Sequence, residues 1–200
     1  MLVLAGEWGL PPVPPYKPRR WEVKNIGSRD ITLMALFASL YAVINVLQGL
    51  TVGNPSIYGP IQLRIADCLI ALAALFGWPV IFGVSLGCVL ANFYAFVSPV
   101  DVLLGPTANL VAAVVVYRFR RKPLLGCILG VFPIGLIVGG GYLWWFFEPP
   151  DIFGLRLPAW MAMAISITLS SLVAVAIIGY SLLQALIRFG ITGTSKKAAT

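Results

Sequence analysis

Three groups of polar residues interrupt an otherwise apolar chain. Gln62, Arg64 and Asp67 fall close together, Asn92 stands alone in a long apolar run, and Asp101 and Asn109 follow. A fourth group, Glu148, Asp151 and Arg156, lies between two further apolar runs. Carboxylates accept hydrogen bonds, a guanidinium donates through a planar fork, and an amide does both, so these types suit the recognition of a polar small molecule. Bond-breaking chemistry has little to work with. The chain has no histidine, which excludes a Ser-His-Asp triad, a Cys-His dyad, a histidine zinc site and a histidine proton relay. Cys68, Cys88 and Cys127 each sit inside an apolar run and form no CxxC pair, so they read as small buried hydrophobes and not as metal ligands or a disulfide. No G-x-x-x-x-G-K-[ST] phosphate loop is present.

The elements that must position these residues follow from composition. At 200 residues, 60% hydrophobic and 10% charged, the chain holds more apolar side chain than one soluble core of that size can hide, which makes it an all-α integral membrane protein. Apolar segments at 31–50, 63–76, 79–96, 100–117, 123–147 and 158–188 approach the length needed to cross a bilayer, giving six transmembrane helices. The second and third are divided only by Gly77-Trp78-Pro79, and a proline starts a helix well but cannot continue one. A single bent segment over 63–96 would overshoot the hydrocarbon by roughly 20 Å. The net charge of +7 reports orientation, because Lys and Arg concentrate in cytoplasmic loops. Six helices with both termini cytoplasmic put Lys17, Arg19, Arg20, Lys24 and Arg29, then Arg118, Arg120, Arg121 and Lys122, then Arg188, Lys196 and Lys197 on the inner side. Only Arg64 and Arg156 fall outside. Residues 1–30 form a Pro-rich, basic cytoplasmic arm, 31–189 the membrane domain, and 190–200 a cytoplasmic tail; Met1–Leu10 is too short for a signal peptide.

On this topology Gln62, Arg64, Asp67, Asn92, Asp101, Asn109, Glu148, Asp151 and Arg156 converge on the outer membrane face. A charge at the bilayer centre costs about 2.5–3.5 kcal/mol, so such residues sit at an interface, pair, or face a cavity. Arg64 and Asp67, three apart, fit either a self-satisfied surface pair or a ligand-facing one. Asp101 fits either a helix cap or a ligand contact. Asn92 requires partners of some kind, whether protein, water or ligand, and is the strongest candidate on physics alone. Gly139-Gly140-Gly141 is expected to break the fifth helix just before Tyr142, Trp144 and Trp145, whose rings fit an interface belt or, for Trp144, a stacking surface. Small residues recur four apart at Ala35 with Ser39, Ala38 with Ala42, Gly83 with Gly87 and Ala91, and Gly126 with Gly130, a pattern that lets helices approach closely. Internal packing accounts for most such stripes. The first helix is the one expected to slide on a partner.

The run Tyr58-Gly59-Pro60-Ile61-Gln62-Leu63-Arg64-Ile65-Ala66-Asp67, then Leu86-Gly87-Cys88-Val89-Leu90-Ala91-Asn92, then Asp101-Val102-Leu103-Leu104-Gly105, resembles the QueT family. These are the queuosine-precursor substrate-binding (S) components of energy-coupling factor (ECF) transporters. The resemblance spans 31–119 closely and the rest in hydropathy. It implies a six-helix, S-component-like bundle in the cell membrane that captures a 7-deazaguanine (preQ1, preQ0 or queuine) from outside and is driven by an ECF transmembrane coupling subunit and two ATPase subunits. It implies no cofactor, no metal and no nucleic-acid partner, and no enzymatic activity in this chain. Ala35, Ala38, Ser39 and Ala42 would contact the coupling subunit. A carboxylate, Asp67 or Asp101, would accept from the guanine-like N–H and amino groups, an amide, Asn92 or Gln62, would pair with another edge, and an aromatic such as Trp144 would stack. Arg64 and Asn109 complete the expected site.

Two other functions compete. A self-sufficient secondary transporter or channel for a small molecule would more often carry matched halves with broken helices, and no internal repeat is evident. A membrane enzyme or scaffold would need the outer carboxylates to meet a cation.

Overall fold

The computed structural model describes residues 27–53, 63–95, 98–152, 154 and 157–191. The Pro-rich arm up to residue 26, Gln62, Arg156 and the tail from 192 lie outside the described residues. Every described element is helical. We number them α1 (Ser28–Thr51), α2 (Ile65–Phe76), α3 (Trp78–Ala95), α4 (Pro99–Arg118), α5 (Pro123–Trp145) and α6 (Ala159–Arg188). All but α2 are long and apolar enough to cross a membrane. Large apolar side chains remain exposed on each of these five, among them Leu47, Leu90, Leu103, Leu136 and Leu169, as expected where the solvent is lipid.

The second helix departs from the sequence expectation of a near-spanning α-helix. It is short, and Ile65–Leu72 winds as a 3-10 helix before Ala73–Phe76 closes as an α-turn. A 3-10 helix rises about 2.0 Å per residue against 1.5 Å, so α2 still extends roughly 22 Å. It runs through the centre of the bundle and touches all five other helices. Ala66 through Leu75 are buried without exception. Its far end is the break foreseen at the hairpin: Gly77 takes φ +72°, a conformation that L side chains rarely adopt, and α3 begins at once with Trp78.

Glycines set the closest helix contacts. A Cβ on Gly83 would stand 2.8 Å from the Met34 carbonyl oxygen, and one on Gly87 would stand 2.5 Å from that of Ala38 and 2.7 Å from Tyr41 Cβ, so α1 rests directly on the α3 backbone. Gly126 and Gly130 do the same for α5 against Val116 and Ala112 of α4. Gly179 of α6 closes on Cys68 and Ala71 of α2. These stripes are internal packing, as the sequence suggested. Ala38 belongs with them: it is buried against Gly87 and is not on the outer face of α1, whereas Ala35 and Ser39 are exposed and Ala42 is half-buried. The three cysteines are free and buried.

The glycine triplet interrupts α5 just before Tyr142, as expected, but only at its last member. Gly135–Gly140 continues as a wide π-helical turn, and the chain leaves the helix only at Gly141. Gly139 is needed for packing, since a Cβ there would stand 2.7 Å from the Met163 carbonyl oxygen and 2.8 Å from Ala164 Cα on α6.

Candidate substrate-binding site

The end of α1, the start of α2, the end of α3, the start of α4 and the end of α5 share one end of the bundle, and their polar side chains meet inside it. The site starts with Gln48. Helix starts leave backbone N–H groups without intrahelical partners. Here Ile65 N–H donates to Gln48 Oε1 at 3.0 Å, and Gln48 Nε2 donates to the Leu63 carbonyl at 2.6 Å. One α1 side chain thereby fixes the entry of α2 and the positions of Arg64 and Asp67. Arg64, at the N-cap of α2, is 3% exposed and so is a buried charge and not a solvent-facing one.

Arg64 Nε lies 3.4 Å from Asp67 Oδ2, a buried ion pair and not a surface one. The other Asp67 oxygen accepts from Tyr41 Oη at 2.6 Å, and Tyr41 Oη in turn accepts from Asn109 Nδ2 at 2.7 Å. Three helices are joined through one hydroxyl. Tyr41 and Asn109 are both fully buried.

A second tier forms around Asp101. Ser98 caps α4, its Oγ accepting from the Asp101 N–H at 3.1 Å, so the Asp101 carboxylate is not the cap. Instead Asp101 Oδ1 accepts a short hydrogen bond from Tyr142 Oη, which the turn after Gly141 delivers. Asn92 Nδ2 donates to the Asp101 carbonyl at 2.9 Å. Gly105 leaves room for this: a Cβ there would stand 2.6 Å from Asn92 Nδ2 and 3.5 Å from Asp101 Oδ1. The two tiers share α4, which carries both Asp101 and Asn109.

Most polar groups buried in a protein are hydrogen-bonded. Among the described residues three buried side-chain atoms are not, and all three belong to this cluster: Arg64 Nη2, Asp101 Oδ2 and Asn109 Oδ1. One donor and two acceptors are thereby held without partners. No group of three or more His, Cys, Asp or Glu among the described residues is placed to hold a metal ion.

Of the residues singled out from the sequence, Arg64, Asp67, Asn92, Asp101 and Asn109 come together. Trp144 does not join their hydrogen bonds: it is half-buried and donates Nε1–H to the Gly140 carbonyl within its own segment, edge-on to the largely exposed Trp145. Tyr41, Gln48 and Tyr142 were not among the expected site residues. A buried tyrosine needs a partner for its hydroxyl, and that requirement was the signal available for two of them.

Five helices of spanning length around a short central one, with a buried polar cluster among them, define a multi-pass membrane protein with an internal polar site. The family model described as QueT transporter matches residues 31–188, and the chain belongs to that family. It is 35% identical over 89 residues to the queuosine precursor transporter QueT of Lactococcus lactis subsp. cremoris (strain MG1363), a match covering 44% of this chain and 50% of that protein. The chain thus spans about half the length of this curated relative. No solved structure matches the chain.

Proposed function

We propose that the chain is the substrate-binding subunit of an ECF-type importer, taking a 7-deazaguanine such as preQ1, preQ0 or queuine from outside the cell membrane. The family and the relative's name support the substrate class. The observation that carries the reading is the cluster itself: Arg64 Nη2, Asp101 Oδ2 and Asn109 Oδ1 are buried, unpartnered among the described residues, and matched in chemistry to a ring edge that sets a carbonyl acceptor beside N–H donors. In this reading both termini are cytoplasmic and the cluster faces outward. Gln62, Arg64, Asp67, Asn92, Asp101 and Asn109 form or support the site, with Trp144 at its margin. The exposed face of α1 that carries Ala35 and Ser39 meets the coupling subunit, and two ATPase subunits supply the energy.

Reconstitution in liposomes tests this. The purified chain alone should bind preQ1 without concentrating it, and accumulation should begin only when the coupling subunit, the ATPases and ATP are supplied. Accumulation by the chain alone under a proton or sodium gradient would make it a secondary transporter instead.

A further inference from the structure

We infer that the two buried carboxylates have separate duties: Asp101 is the specificity-determining residue that reads the ligand's amino edge, and Asp67 is a positioning residue that touches only protein. The name of the ligand rests on the function proposed above; the division of duties rests on geometry. Asp67 has both oxygens engaged, Oδ1 by Tyr41 and Oδ2 by Arg64. Asp101 has only Oδ1 engaged, by Tyr142, and its Oδ2 is without a partner among the described residues although the residue is 3% exposed. A buried carboxylate oxygen with no donor is costly to maintain, and such groups persist at sites where a ligand supplies the partner.

The other residues divide the same way. Asn92 uses Nδ2 on the Asp101 carbonyl, so it holds the backbone from which the carboxylate projects. Asn109 uses Nδ2 on Tyr41 and keeps Oδ1 unpartnered. Arg64 uses Nε on Asp67 and keeps Nη2 unpartnered. Among the described residues Arg64 makes its ion pair with Asp67 and not with Asp101. A donor and an acceptor of opposite charge are therefore held apart by the network that anchors each. A ligand edge that places a carbonyl oxygen beside N–H and amino groups spans them, with the carbonyl on Arg64 and the amino edge on Asp101. Asn109 Oδ1 accepts from a further N–H. The guanine-type six-membered ring has that edge; a ring lacking the 2-amino group gives Asp101 less to bind.

The test compares 7-deazaguanine with 7-deazahypoxanthine, which differs only in lacking the 2-amino group, by equilibrium binding to the purified chain in detergent. The wild type should favour 7-deazaguanine at least tenfold, since a site built to hydrogen-bond a group rejects the analogue without it. Asp101→Asn should reduce that preference to within about twofold. Asp67→Asn should keep the preference, weaken both ligands together, and lower the Tm by roughly 10 °C more than Asp101→Asn does, because it breaks a satisfied buried pair. Loss of the preference in Asp67→Asn with its retention in Asp101→Asn overturns the inference. So does an equal loss of Tm in the two variants. Should Asp67→Asn not accumulate as folded protein, Tyr41→Phe removes one of the two bonds to Asp67 and carries the same comparison. Should the wild type bind neither compound, the proposed ligand class falls, and the difference in Tm alone decides the division of duties.

Discussion

The Tyr41 hydroxyl offers the most quantitative handle on this architecture. It is fully buried, donates to Asp67 Oδ1 at 2.6 Å and accepts from Asn109 Nδ2 at 2.7 Å. Tyr41→Phe keeps the ring and the Cβ that lies against Gly87 and removes only the oxygen. Two buried groups then each lose a partner, at about 1–3 kcal/mol apiece, and the carboxylate belongs toward the upper end. The desolvation of the hydroxyl itself is no longer required, which returns part of that. The net expectation is a loss of about 2–4 kcal/mol, a fall in Tm of roughly 5–15 °C for a chain of this size. Thermal unfolding of the purified protein in detergent, followed by tryptophan fluorescence, reads it out. A double-mutant cycle with Asn109→Leu isolates the pair and should give a coupling of about 1 kcal/mol or more. A Tm within about 1 °C of wild type, or strictly additive variants, would refute the view that this hydroxyl ties α1, α2 and α4 together.

Other perturbations separate packing, site and partner. Gly105→Ala should leave Tm nearly unchanged, because a gain of roughly 1 kcal/mol in helix propensity offsets the crowding of Asn92, yet should weaken preQ1 binding about tenfold or more; Tm and Kd measured on the same preparation check both halves. Gln48→Leu strips the Leu63 carbonyl and the Ile65 N–H of their partners and should cost about 2–3 kcal/mol, with faster hydrogen exchange at the Ile65 amide as its local signature. Ala35→Leu combined with Ser39→Leu changes only exposed positions, so Tm and binding should hold while ATP-driven uptake with the coupling subunit falls; unchanged uptake would place that contact elsewhere.

The sequence told more about where the helices are than about how they are wound. Hydropathy and the Gly77-Trp78-Pro79 break separate α2 from α3 correctly, since a spanning segment needs only length and a stop. The 3-10 winding of Ile65–Leu72 leaves no trace in hydropathy, because α2 is apolar apart from Asp67 and packs against five neighbours. For the same reason Gly139 reads as a helix breaker in sequence and serves as a packing surface in the fold, where Ala164 of α6 lies against it. Rarity made the site legible: a charged or amide residue inside an apolar run stands out, which picked out Arg64, Asp67, Asn92, Asp101 and Asn109. Tyr41 and Tyr142 did not stand out, because tyrosine is common at membrane interfaces and only the partner across the bundle reveals its use. Likewise, the choice between Asp67 and Asp101 for contact with the ligand depends on which oxygens the protein already occupies, and that is a property of the three-dimensional network.

Titration of preQ1 against the purified wild type and an Asn109→Leu variant, in detergent and without coupling subunits, tests the central claim most directly. Saturable binding to the wild type, displaced by queuine but not by unrelated vitamins and lost in a variant that remains folded, is the expected result. Undiminished binding by the variant would place the ligand outside the buried cluster, and no binding by the wild type would contradict the proposed function.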